Sequence, residues 1–157
     1  MAFSSLAEID AYMKTNKCEF WEAVIREEAR DSQQPEMDIV NRMTQMYRSM
    51  KEADEAYDDS LTSRSGLSGK NGKKMADYAA THKCMCGKFG GAVMARAIKM
   101  AESNACMKRI VAAPTAGSCG VVPAILITYE RMTNTSENDM VKALFVAAGI
   151  GDVIARR

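Results

Sequence analysis

Aromatic residues and histidine are scarce in this sequence, and neither sign of charge is in excess. Each of these features argues against a class of function. The 157 residues include 6% aromatics and one histidine, with 21 Lys and Arg against 20 Asp and Glu. Proteins that stack bases or neutralise phosphates need aromatic platforms or a basic surface, so we do not expect nucleic-acid binding. The same charge balance provides no attraction to an anionic membrane.

Long apolar runs and a secretory leader are also missing. The longest apolar run, residues 121–129, is too short to span a bilayer and contains Pro123 and Thr128. Charged residues from Glu8 to Glu19 interrupt the first twenty positions, so no leader core is present. The five cysteines are odd in number and irregularly spaced, unlike a disulfide framework. We therefore expect a cytoplasmic protein with reduced thiols.

Apolar residues recur at helical spacings, which predicts an all-α fold and a single helical domain over residues 1–157. The predicted helices cover residues 5–14, 19–30, 35–57, 73–81, 87–104, 121–131 and 136–154. Ser5 with Glu8, and Ser136 with Asp139, have the spacing of N-terminal caps. The sixth segment is also compatible with a strand, but Pro123 near its start favours a helix.

Methionine is unusually frequent, with 13 copies, several of them at helical spacings. Flexible thioethers fill irregular cores well, so we favour a core role over a ligand-binding methionine surface. The third helix is predicted to bury a face made of Met37, Val40, Met43, Met46, Tyr47 and Met50.

A run of small and hydroxyl residues at 112–124 is the strongest candidate for chemistry. It reads Ala-Ala-Pro-Thr-Ala-Gly-Ser-Cys-Gly-Val-Val-Pro-Ala and leads into an apolar segment. Thr115, Ala116, Gly117 and Ser118 combine hydroxyls with a backbone free to expose its N–H groups. Such a loop ahead of a helix suits a carboxylate or phosphate. The alternative is a plain helix-entry turn with a cap.

A second loop, residues 58–72, is also rich in hydroxyls and glycines, and long loops inside compact domains are often functional. Ser65 and Gly66 are candidates for a second wall of the same site. Arg64 has a guanidinium that suits a carboxylate. The alternative is a flexible surface loop.

Together these segments resemble the α chain or α domain of the iron–sulfur-dependent L-serine dehydratases, also called L-serine ammonia-lyases. The resemblance lies in residues 113–118 with 120–124, in residues 62–69, and in Ala-Ala-Gly-Ile-Gly at 147–151. It covers roughly residues 20–157. Lys70 and Asn71 stand where the family usually has Gly-Asp, and Cys119 stands where it usually has Ala.

The resemblance implies β-elimination of water from L-serine to give pyruvate and ammonia, with a 4Fe-4S cluster as Lewis acid. It implies that residues 115–118 hold the substrate carboxylate and that the cluster ligands lie outside these 157 residues. We expect the N-terminal part of a longer α domain, inactive alone and completed by a β chain or β domain in an oligomer. We assign no catalytic residue. An L-cysteine lyase and a non-catalytic, partner-binding half-chain remain alternatives.

The remaining polar clusters are weak candidates. Cys84 and Cys86 are one residue closer than the usual metal-binding pair, and a second pair is missing. His82 lies nearby in a polar stretch and is weak both as a ligand and as a base. Lys70, Lys73 and Lys74 could form a Schiff base with a cofactor, but no phosphate cradle accompanies them. We therefore predict no metal site and a basic surface turn.

Overall fold

The computed structural model describes residues 3–81, 84–113 and 115–156. Over these residues it contains α-helices, one 3₁₀ turn and no strand, which confirms the predicted all-α fold. The helices are α1 (Leu6–Asn16), α2 (Phe20–Ser32), α3 (Glu36–Glu55), α4 (Asn71–Ala80), α5 (Gly87–Ala105), α6 (Val121–Thr133) and α7 (Glu137–Ala155). The 3₁₀ turn, Ala116–Ser118, lies between α5 and α6.

The helices fall into two compact units. Residues up to 45 and from 136 onward form the first unit, and residues 46–135 form the second. The long helix α3 contributes residues 36–45 to the first unit and 46–55 to the second. The single domain expected over residues 1–157 stays a prediction.

The first unit is built from α1, α2 and α7. Its core contains Ile9, Ala23 and Val153, one residue from each helix. Gly149 of α7 lies against α2, where a Cβ would come within 2.5 Å of Val24 Cγ2. The missing side chain therefore allows α2 and α7 to approach closely.

The predicted N-terminal caps are present in this unit. Ser5 Oγ accepts the Glu8 N–H at 3.2 Å, and Ser136 Oγ accepts the Asp139 N–H at 3.2 Å. The Glu8 carboxylate accepts the N–H of Ser4, at 2.8 Å, so the return bond of the first cap involves the residue before the cap. These bonds satisfy N–H groups that a helix start leaves without partners.

Helix α5 is the centre of the second unit, where it packs against α4, α6 and the 3₁₀ turn. Two glycines permit these approaches. A Cβ on Gly72 would come within 2.5 Å of Lys99 Cγ, and one on Gly120 would come within 2.6 Å of the Ala97 carbonyl oxygen. Further along α5, Met100 is buried. Gly72 and Gly120 thus allow close packing on α5 at the point where each of the two predicted loops meets the helix that follows it.

The buried face predicted for α3 is partly wrong. Tyr47 and Met50 are fully buried, but Met37 is 67% exposed and Met46 is 41% exposed. In the first turns Ile39 is the buried residue, and Met37, two positions earlier, points to the other side of the helix. Because methionine is flexible and only moderately costly to expose, its spacing alone did not identify the packed face.

Candidate functional site

A buried carboxylate at the end of α5 fixes the end of the 58–70 loop. Glu102 is 6% exposed, and its carboxylate accepts hydrogen bonds from three other residues. The donors are the N–H of Asn71 at 2.7 Å, the N–H of Gly72 at 3.1 Å and the Tyr57 hydroxyl at 2.8 Å. Glu102 therefore links Tyr57, which precedes this loop, to Asn71 and Gly72, which follow it.

The same contacts explain why α4 begins at Asn71, although the sequence predicted a start near Lys73. A carboxylate at a helix N-terminus satisfies free N–H groups and complements the positive end of the helix dipole. Burial alone would raise the pKa of Glu102, but the bonds from Tyr57, Asn71 and Gly72 outweigh it, so the pKa lies below its usual value. Burial, and then Glu102, raises the pKa of Tyr57 to about 12.

The segment 62–69, here the hydroxyl loop, is held by its own hydrogen bonds. The Ser63 N–H donates to the Ser68 carbonyl at 2.8 Å, and the Ser68 N–H donates to Ser63 Oγ at 3.1 Å. The Ser65 hydroxyl lies 3.1 Å from that of Ser63. At the tip Gly66 has φ +75°, which favours glycine. Ser65 and Gly66 are exposed, so the loop presents these two predicted residues to the outside.

Thr115, the first of the site residues predicted at 115–118, caps the 3₁₀ turn. Thr115 Oγ1 accepts the Ser118 N–H at 3.3 Å, and the two hydroxyls lie 2.8 Å apart. Asn104, in the last turn of α5, donates its side-chain N–H to the Ala116 carbonyl at 3.0 Å. These contacts fix the turn on both sides.

Several donors of the turn have no acceptor among the described residues. Thr115, Ala116 and Gly117 are exposed, and Ser118 is half-buried. Among residues 3–81, 84–113 and 115–156 no acceptor is found for the N–H groups of Ala116 and Gly117. The mutual bond of Thr115 and Ser118 uses one hydroxyl proton, so the other can donate elsewhere. The Ser118 N–H is already used within the turn.

The last turn of α5 holds both predicted loops. Glu102 binds the start of α4, directly after the hydroxyl loop, and Asn104, two residues later, binds the 3₁₀ turn. Two clefts of about 410 and 460 Å³ open beside α4 and α5, and neither is lined by the turn or the hydroxyl loop. The last turn of α5 therefore anchors both loops, through two side chains that leave the helix on opposite sides, and each loop is exposed on its outer part.

The remaining sequence candidates are exposed lysines or lie outside the described residues. His82 and Pro114 are among the residues that the structure does not describe. Lys70, Lys73 and Lys74 are exposed, and Lys73 forms ion pairs with Asp59 and Asp77. The predicted basic turn is therefore wrong in part: Lys70 is the N-cap of α4, and Lys73 and Lys74 lie within the exposed start of that helix.

The cysteines differ strongly in exposure. Cys86 is exposed and Cys84 is half-buried, whereas Cys119, directly after the 3₁₀ turn, is 1% exposed. Burial raises the pKa of the Cys119 thiol. Cys119 therefore packs as a small apolar side chain in the position where the resembled family usually has alanine.

In the described part of the chain, no group of three or more His, Cys, Asp or Glu side chains is arranged to hold a metal ion. No helix in that part combines the length and the apolar character that crossing a bilayer requires.

Comparison with known proteins identifies the family. The family model for the serine dehydratase alpha chain matches residues 15–157. The chain belongs to this family. Of the predicted site residues, Ser65, Gly66, Thr115, Ala116, Gly117 and Ser118 all lie within the matched range.

Individual relatives carry the same name. The chain is 29% identical over 153 residues to the probable L-serine dehydratase, alpha chain, of Bacillus subtilis, which covers 98% of this chain and 51% of the relative. It is 38% identical over 84 residues to the L-serine dehydratase, alpha chain, of Peptoniphilus asaccharolyticus, covering 54% of this chain and 29% of the relative. It therefore spans about half the length, or less, of these serine dehydratase relatives. No solved structure matches the chain.

Three supporting residues of this serine dehydratase segment were missed from the sequence: Tyr57, Glu102 and Asn104. Only Glu102 could have been suspected from its position in the sequence. It lies seven residues, about two helical turns, after Ala95, so both residues fall on the packed face of α5. A charged residue on a buried helix face needs partners, which the free N–H groups of a following or preceding loop can provide. Tyr57 and Asn104 show no comparable pattern.

Proposed function

We propose that this chain forms part of the substrate site of an L-serine dehydratase, which converts L-serine to pyruvate and ammonia by β-elimination of water. The observation that carries the proposal is the common support of the two loops by Glu102 and Asn104. Family membership makes serine the substrate to test first. The resemblance of the two loops to the family's own segments makes them the part of the chain that meets it.

The 3₁₀ turn would hold the serine carboxylate. The N–H groups of Ala116 and Gly117 and one hydroxyl proton from Thr115 or Ser118 give three donors for two carboxylate oxygens. Hydrogen bonds to a charged group contribute about 1.5–3 kcal/mol each. A fixed carboxylate orients the α-hydrogen and the β-hydroxyl of serine for elimination. In this proposal Ser65 and Gly66 form a second wall.

An iron–sulfur cluster is the cofactor that the family resemblance implies, and the described residues do not fit one. Cys18 belongs to the first unit, while Cys84, Cys86, Cys106 and Cys119 belong to the second without forming a ligand group. Cys119 packs with Ala53 and Met100 in an apolar cluster. We therefore propose that the cluster ligands, and the base that removes the α-proton, come from polypeptide outside these 157 residues.

The partners that follow from this proposal are L-serine, the remainder of the alpha chain and a β chain or β domain. The exposure of the 3₁₀ turn and the hydroxyl loop supports this, because a site for a small amino acid has to be enclosed by further residues. Oligomer formation and a cytoplasmic location stay predictions from the sequence.

The test is steady-state kinetics of the assembled enzyme, with this chain joined by the polypeptides that complete it. Replacing both hydroxyls, Thr115→Ala together with Ser118→Ala, removes the one hydroxyl proton left for the substrate and is expected to raise KM for L-serine about tenfold to a hundredfold, the effect of one lost bond to a carboxylate. Thr115→Ser keeps the hydroxyl and should stay near the wild-type value. Thr133→Ala, an exposed hydroxyl at the far end of α6, is the matched control and should leave KM unchanged.

The isolated chain should form no pyruvate from L-serine after anaerobic cluster reconstitution. Robust turnover by the chain alone would contradict the proposal, as would an unchanged KM for the variant that lacks both hydroxyls. Running the assembled enzyme on L-cysteine as well as L-serine distinguishes a thiol from a hydroxyl leaving group.

A further inference from the structure

Helix α6 carries an apolar stripe on its outer face. Val121 is 51% exposed, Ile125 44%, Tyr129 45% and Met132 50%. Their spacing of four, four and three residues places them on one side of the helix. The other side, with Pro123, Ala124, Ile127 and Thr128, is buried against the second unit. We call the exposed set the α6 stripe.

A stripe of this kind indicates a surface that another polypeptide covers. Single exposed apolar residues are ordinary, whereas four in a row on one helix face form a continuous patch. The relative from Bacillus subtilis has about as much chain again as the part matched here, since the match covers 51% of it. That additional length is polypeptide of the same family that is available to cover the α6 stripe.

We propose that the α6 stripe is the surface on which the remaining part of a serine dehydratase alpha chain packs. The stripe begins at Val121, and Gly120, the residue before it, is the N-cap of α6 and lies close behind the 3₁₀ turn. A segment lying along α6 therefore ends beside Ala116–Ser118. There it adds residues to the substrate surface, a consequence that rests on the function proposed above.

The opposite end of the stripe indicates the charge of the covering segment. Met132 also lines the 410 Å³ cleft, together with Lys88, Arg96, Lys99 and Arg131. Asp54 pairs with Arg96 at 2.8 Å and with Arg131 at 3.4 Å, so the two lysines contribute most of the uncompensated positive charge. The covering segment should thus be amphipathic, with carboxylates near the C-terminal end of α6.

A second copy of this chain fits the α6 stripe less well. In a two-fold dimer the same surface serves both partners, so the carboxylate would have to come from the cleft or from α6. Glu55, which also lines the cleft, pairs with Arg131 at 3.3 Å, and α6 offers no uncommitted carboxylate. Its one acidic residue, Glu130, is already bound by Lys51 at 3.2 Å and by the Tyr47 hydroxyl at 3.1 Å. The charge around the cleft therefore favours a different polypeptide.

Thiol labelling tests the proposal without reference to activity. Ile125→Cys is prepared in the isolated chain and in the chain joined, in the relative's order, to the part of the Bacillus subtilis alpha chain that it does not match. Met37→Cys, at a 67% exposed position of α3, is the matched control. Peptide mass spectrometry separates the introduced thiols from the native cysteines during iodoacetamide labelling.

In the isolated chain both introduced thiols should react at similar rates. In the joined polypeptide the rate at position 125 should fall at least tenfold, while the rate at position 37 stays within twofold. Equal labelling at position 125 in both forms would overturn the proposal. Concentration-dependent protection in the isolated chain would also overturn it, because it would identify a second copy as the occupant.

A charge on the α6 stripe provides a second measurement. Ile125→Glu leaves an exposed position polar and should not change the helical circular dichroism of the isolated chain. In the joined polypeptide it should speed limited proteolysis between the two parts at least tenfold, whereas Met37→Glu should not. An equal effect of the two variants would contradict the proposal. Both experiments are made without serine, so they stand apart from any failure of the proposed carboxylate site.

Discussion

Replacing Glu102 with glutamine should destabilise the second unit by about 2–4 kcal/mol. The amide oxygen of Gln can accept from Asn71, or from Gly72 and Tyr57, but its NH₂ group then faces another donor. One buried N–H thereby loses its acceptor, which costs about 1–3 kcal/mol. Loss of the charge at the α4 N-terminus adds about 0.3–1 kcal/mol, and more when the site is partly buried.

Urea unfolding followed by far-UV circular dichroism measures the change in the free energy of unfolding. Amide exchange of Asn71 and Gly72 locates it, because both N–H groups donate to Glu102. Glu55→Gln is the matched control. Its side chain is 67% exposed and pairs with Arg131 at 3.3 Å, so the expected change is at most about 1 kcal/mol.

The difference between wild type and Glu102→Gln should depend on pH. Because the pKa of Glu102 in the folded protein lies below its usual value of 4.5, the stabilisation is complete above that value. It is lost as the pH falls through the lowered pKa. The two free energies of unfolding should therefore converge in acid. A gap that persists at low pH, or a loss no larger than that of Glu55→Gln, would refute the bridging role of Glu102.

Three further predictions concern other parts of the chain. The pKa of Tyr57 is raised to about 12, so the contribution of this hydroxyl to stability is complete below pH 10 and is lost between about pH 10 and 12. Urea unfolding should show this loss for the wild type and not for Tyr57→Phe. Gly149→Ala should lower the free energy of unfolding by about 1–3 kcal/mol, because the new methyl group overpacks the contact with α2. Gly151→Ala has no atom within 4 Å of its Cβ and should raise the free energy of unfolding by about 0.5–1 kcal/mol. The opposite order of stabilities in urea titrations would contradict this packing. Native labelling with a thiol reagent should modify Cys86 rapidly and Cys119 only on unfolding.

The local features of this protein were readable from short stretches of sequence. Ser5 and Ser136 cap their helices as predicted, because a cap depends only on the next three residues. The Thr115 cap and the glycine-dependent tip of the hydroxyl loop are equally local. Helix existence followed from apolar periodicity in the same way.

The packed faces and the start of α4 were not readable in this way. Helix α4 begins two residues earlier than predicted because Glu102, 31 positions beyond Asn71 in the chain, accepts its first N–H groups. Met37 is exposed although its spacing suits a core position. Both outcomes depend on which surfaces meet in space, and no window of neighbouring residues contains that information.

By itself the sequence determined the helical class, the caps and the two loops that resemble the serine dehydratase alpha chain, since each follows from residue type at short range. Only the tertiary structure decided that both loops are held by the last turn of α5, through Glu102 and Asn104. That arrangement depends on hydrogen bonds between residues distant in the chain, which form only when packing brings buried donors and acceptors together.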